Sequence, residues 1–140
     1  MGMPEKSLEQ GKHFTITVDE NKKLVRVKRT KTPYASIAEL KQTNELRRRL
    51  LRDYDGLRYC LLLDARDGPL RNDPEFEETA RESRTEMIAT FHRTAIVVKT
   101  AVGMLQLQRL NRTDNSPNVR VFHDDEVAAL AFLEDSQNRA

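Results

Sequence analysis

One cysteine among 140 residues leaves no internal disulfide and no cysteine-based zinc cluster to build on. Cys60 lies inside the apolar run Tyr59-Cys60-Leu61-Leu62-Leu63, where it reads as a small buried hydrophobe and not as a reactive thiol. Glycine is scarce, five in all (Gly2, Gly11, Gly56, Gly68 and Gly103), and none falls into GxGxxG or GxxxxGKS/T. The glycine loops that cradle phosphates in the common nucleotide enzymes are therefore missing. The three histidines, His13, His92 and His123, sit in separate segments without HExxH pairing, so no metal centre is expected. No stretch approaches the roughly 18 apolar residues of a membrane helix. The polar N-terminus lacks the apolar core of a signal peptide. Lys6 stands where a myristoylated Gly2 would need Ser or Thr. A cytoplasmic protein without an integral membrane segment is the expectation.

Charge of one sign is also lacking. The 24 basic and 22 acidic residues leave a net charge of +2. That balance argues against a dedicated nucleic-acid binder, which carries a basic excess. What is present is 38% hydrophobic and 33% charged residues, the composition of a globular domain with a solvated surface. The length suits one domain that buries roughly two-thirds of its unfolded surface.

Residues 1–12 read as a flexible leader, 13–135 as a single domain and 136–140 as a frayed tail. His13 to Val18 alternates Phe14, Ile16 and Val18 with Thr15 and Thr17, the period of a strand with one buried face. A polar turn, Asp19 to Lys22, leads to a second alternating strand from Leu24 to Arg29, so the two form an antiparallel hairpin. Ser36-Ile37-Ala38-Glu39 has capping-box spacing and opens a helix to about Tyr54, ended by Asp55-Gly56. Tyr59 to Ala65 is a central strand covered on both faces. After a loop from Arg66 to Asn72, Asp73-Pro74 starts a helix that runs to about His92. A buried strand, Thr94 to Lys99, follows. Val102 to Leu110 is a short helix, 111–118 a loop, and Val119 to Phe122 a last strand. Asp124-Asp125 caps a final helix through Val127, Leu130 and Leu133. The order ββαβαβαβα predicts an α/β fold: a mixed, mostly parallel, five-stranded sheet with helices packed on it.

Nucleophilic catalysis finds no GxSxG elbow; Ser36 reads as a cap and Ser83 as a helix-surface residue. The run Arg47-Arg48-Arg49, with Arg52, could meet phosphates, but acidic residues follow at once and a solvated helix face is the simpler reading. The best candidate surface is the rim beyond the carboxyl ends of the parallel strands, where ligands gather in open α/β sheets. It would hold Asp64, Arg66 and Asp67 after one strand, Lys99 after the next and His123 after the last, with Asp73 at a helix start.

CLLLDARDG, the helix from Asp73, TAIVVK and VFHDDEVAALAFL together resemble the SpoIIAA-like branch of the STAS superfamily (sulfate transporter and anti-sigma factor antagonist) over about residues 13–134. The resemblance implies a four- or five-stranded sheet with helices on it, used for protein recognition. It also implies a phosphorylated serine at the helix after the central strand. No Ser or Thr occurs between Asp64 and Glu78, so that switch is not carried over, and Asp73 reads as an ordinary cap. The expected function is a non-catalytic recognition module without cofactor. Its partner is an unidentified protein or a second copy, as a homodimer. The alternative is a small apolar or lipid-like ligand held between the sheet and a movable helix, with Gly103 and Met104 in the mobile wall.

Overall fold

The first hairpin follows from alternation. Phe14, Ile16 and Val18 on one strand and Val25 and Val27 on the next are all at most 3% exposed, and they share one face. Lys22 N–H donates to Asp19 Oδ1 (3.0 Å), and Lys23 adopts φ 53°, which closes the turn the sequence predicts. The computed structural model describes residues 6–54, 59–68, 73–105 and 118–138. The predicted helix stop at Asp55-Gly56, the loop residues Pro69 to Asn72, the end of the short helix with Leu107 and Leu110, and most of the loop 111–118 lie outside the described residues.

The strands are β1 (Lys6–Gln10), β2 (Phe14–Asp19), β3 (Leu24–Arg29), β4 (Cys60–Asp64), β5 (Thr94–Val98) and β6 (Val119–His123). The helices are α1 (Ile37–Leu51, extended by a tight turn Arg52–Tyr54), α2 (Pro74–Ala89), α3 (described over 101–105) and α4 (Glu126–Asn138). Among the described residues the sheet has six strands, not the expected five. The added strand is β1, inside the segment read as a leader, which pairs antiparallel with β2 through a bulge between Ser7 and Glu9. Its only apolar residue is Leu8, which packs against the core, so the segment carries no period-2 signal to read. A bulged, charged edge of this kind also resists pairing with other chains.

Strand order is β1-β2-β3-β4-β5-β6, antiparallel through β3 and parallel from β3 to β6. Crossovers of one hand that always step the same way place their helices on the same face. Accordingly Leu51 of α1 and Met87 of α2 join the core built on Ile16, Val27, Leu61 and Ile96. α4, after the last strand, covers the other face, where Ala129 and Leu133 meet Leu24, Cys60, Leu62 and Val97. Among the described residues no helix is long and apolar enough to cross a membrane.

Two helix starts differ in chemistry. Ser36 Oγ accepts from Glu39 N–H (3.1 Å), while the Glu39 carboxylate reaches past the cap to Ala35 N–H (3.0 Å) and to His13 Nε2 (2.8 Å). Asp73 occupies the cap position of α2 without a side-chain capping bond, and Pro74 follows it.

Candidate functional site

An unreversed strand order has no topological switch point, so the crevice that doubly wound sheets offer at their carboxyl edge is not built here. The opening lies between the two helices that share a face. Leu40, Asn44, Arg47 and Leu51 recur at helical spacing on α1; Phe76, Ala80, Ser83 and Met87 repeat the same spacing on α2. These two stripes face each other. In the middle of each, where an apolar residue would close the contact, stand Asn44, Arg47 and Ser83. The result is a cleft of about 250 Å³, floored by Leu63, Ala65 and Ile96 and lined by Leu40, Asn44 and Arg47 on one side and the α2 stripe on the other.

The loop before α1 forms the mouth. Tyr34 is 8% exposed and is fixed on three sides. His13 stacks on it at 4.4 Å, Phe76 lies tilted at 5.7 Å, and the Arg29 guanidinium sits 4.5 Å over its ring. His13 is itself buried, with Nδ1 3.2 Å from the Thr32 carbonyl and Nε2 at Glu39. Burial pushes the Tyr34 hydroxyl up from its usual pKa against the pull of Arg29 and Arg47, so it stays protonated at neutral pH.

The cleft is positively charged. Arg47 Nη2 donates to Ser83 Oγ, and among the described residues no carboxylate pairs with it. Desolvation brings its pKa down to about 10, against the opposing influence of Tyr34 and Glu86. Glu86 is engaged elsewhere: its two oxygens accept from Arg48 at 2.8 and 3.0 Å. Arg29 donates to the carbonyls of His13 (2.9 Å) and Thr32 (3.5 Å), and burial lowers its pKa also. Carbonyls satisfy its hydrogen bonds without cancelling its charge. Asn44 is 7% exposed and its side-chain amide makes no hydrogen bond to a described residue. The amide is not sealed in the core; it opens to the cleft that it lines. Among the described residues Glu77 is the one carboxylate that lines the cleft, and it is exposed.

The rim expected from sequence is partly assembled. Asp64, Arg66, Asp67 and Lys99 meet in a shallow, polar hollow of about 230 Å³, together with Lys28 and Asp124. His123 lies beside it, its Nε2 3.1 Å from the Lys99 carbonyl. Asp73 does not line it. Its central charges are used internally. Arg66 binds Asp64 (2.8 Å), Asp124 (3.3 Å) and Glu126 (3.3 Å), and Glu126 also binds Arg26 (2.8 Å). Burial opposes the Asp64 charge, but the hydrogen bonds and charge of Arg66 outweigh it and hold the carboxyl below its usual range. Arg66 is correspondingly raised, chiefly by its hydrogen bond to Asp64. The network ties the end of β4 to the start of α4.

Three expectations need correction at this level. The arginine run is not one solvated face: Arg47 turns into the cleft, Arg48 is paired to Glu45 and Glu86, and Arg49 and Arg52 alone are exposed without such pairing. Ser83 is not a helix-surface residue; it is 9% exposed and meets Arg47. Gly103 and Met104 do not line the cleft, because Met104 packs against the core from α3. The signal for the missed residues was present as a fault in pattern: polar Asn44 and Arg47 occupy the i+4 and i+7 positions of a stripe that begins and ends in leucine.

Comparison of the chain with protein-family models, with curated proteins and with solved structures gives no match.

Proposed function

We infer that the chain is a non-catalytic binding protein and that the cleft between α1 and α2 receives its ligand. The carrying observation is the unneutralised Arg47 beside the unpartnered Asn44, both on the inner stripe of α1 over an apolar floor. A stripe selected only for packing would bury Leu or Met at these positions. Small-molecule sites have this make-up: mostly apolar lining with a few convergent polar groups. Among the described residues no histidine or cysteine lines the cleft and its one carboxylate is exposed, so these residues do not form the paired acid and base of a hydrolytic centre.

Native mass spectrometry of the chain purified from cells under non-denaturing conditions tests this. The wild type is expected to carry a reproducible added mass of small-molecule size. Ala80→Phe, which fills the cleft from α2, should lose it while keeping its circular dichroism. A bare wild-type chain, or an adduct indifferent to Ala80→Phe, contradicts the reading.

A second reading is recognition of a protein partner, or of a second copy, at the rim. Its support is the sequence resemblance to the STAS superfamily, together with the exposed Val102 (66%) and Leu105 (60%) of α3 and Val127 (80%) at the start of α4. Large apolar side chains left in water suit an interface. Sedimentation checks the second-copy form: association weaker in Val127→Glu than in wild type supports it, and a monomer in both removes it.

A further inference from the structure

We propose that the ligand of the α1–α2 cleft is a small organic acid, a monocarboxylate with a compact apolar body, held at its carboxylate by Arg47, Ser83 and Asn44. The proposal rests on the reading of the cleft as a binding site and names the chemistry of its occupant.

Charge is the first ground. Arg47 is surrounded largely by protein and lacks a carboxylate, while the nearest candidate, Glu86, gives both oxygens to Arg48. Arg29 adds a second uncancelled cation at the mouth. Half-buried cations without a counter-ion carry part of a desolvation cost, and a bound anion relieves it. The donors are the second ground. A carboxylate offers two oxygens to a guanidinium fork. Ser83 can donate its O–H to one of them while its oxygen goes on accepting from Arg47, and the Asn44 amide supplies a further N–H.

Geometry narrows the anion to a single charge. Phosphate sites draw on free backbone amides at a helix start. Here Asn44, Arg47 and Ser83 all lie well inside helices whose amides are already bonded, so only side chains can donate. That suits two oxygens better than the three of a phosphate group. The floor of Leu63 and Ile96, with Met87 beside it, calls for an apolar body. At about 250 Å³ the cleft falls just below the usual range for small-molecule sites, roughly 300–1,000 Å³, which excludes a long acyl chain.

Titration calorimetry with octanoate and octanamide, which differ in head-group charge, tests the assignment on the full chain. Octanoate is expected to bind wild type about tenfold tighter than octanamide or better, the usual worth of a hydrogen bond to a charged group. Arg47→Met should abolish that preference by weakening octanoate far more than octanamide, and Arg47→Lys should keep part of it. Ser83→Ala should narrow the gap and poses the same question if Arg47→Met does not fold. Equal affinities in wild type, or a preference that survives Arg47→Met, overturn the acid assignment and leave the cleft reading standing. Binding of neither compound also overturns the assignment; the native mass measurement then decides the cleft reading on its own.

Discussion

The Arg47 guanidinium donates to the Ser83 hydroxyl across the gap between α1 and α2. This single contact joins the polar centres of two otherwise apolar stripes and holds a charge where packing alone would place a hydrocarbon. A hydroxyl satisfies one donor of the five and does nothing for the charge. In the empty protein the pair is therefore a cost carried inside the fold.

Arg47→Met should accordingly stabilise the ligand-free chain, by about 1 kcal/mol in urea denaturation, because it exchanges a desolvated cation for an apolar side chain of similar length. Gain of stability with loss of anion binding is the pattern of a functional residue. A loss of stability would show that Arg47 is there to hold the helices together.

The opposite result is expected at Arg66. Asp64 is 3% exposed and Arg66 is its main partner. Arg66→Met leaves a buried carboxylate uncompensated and should cost about 3 kcal/mol. The pH dependence follows from the sign of the Asp64 shift. Its folded pKa is lowered, so the stabilisation is present above the unfolded value of about 3.9 and is lost as pH falls through the lower folded value. Wild type should then lose stability on acidification more steeply than Arg66→Met, which has little left to lose. Parallel acid limbs for the two proteins would contradict this role. The consequence for the rim is practical: charge reversal at Arg66 would unsettle the fold, whereas Asp67, held loosely by Lys28 at 3.9 Å, can be reversed as a clean probe of partner binding.

Thr94 gives a prediction free of the site. It is 0% exposed in β5, and its hydroxyl has no hydrogen-bond partner among the described residues. Thr94→Val keeps the shape and removes an unsatisfied polar group, so stability should rise by about 1 kcal/mol. An unchanged or lowered urea midpoint would show that the hydroxyl is served by a group, such as a water, that compensates its burial.

Much of the fold is legible in the residues. Alternation in Phe14 to Val18 and the unbroken run Cys60 to Leu63 mark strands because a face buried once and a face buried twice leave different periods. Ser36 and Asp125 mark helix starts; Ser36 Oγ accepts from Glu39 N–H and Asp125 Oδ1 from Ala128 N–H (2.9 Å). β1 is not legible, since backbone pairing along an edge needs little from side chains. The rim was legible as a place, because strand ends fix where Asp64, Arg66 and Lys99 emerge. Its internal neutralisation was not, because Glu126 meets Arg66 across 60 residues of chain. The cleft was hidden for a related reason. It depends on strand order stepping one way, which sets α1 and α2 side by side, and no local pattern in either helix reports its neighbour.

The most direct test of where this protein binds is an amide chemical-shift titration of the labelled chain with a small panel of acidic and neutral fragments. The cleft reading predicts that fragments which bind move the signals of Leu40, Asn44, Ser83 and Met87 and leave Asp67, Lys99 and Asp124 still. Shifts gathered at Asp67, Lys99 and Asp124, with the facing stripes of α1 and α2 unmoved, would contradict it.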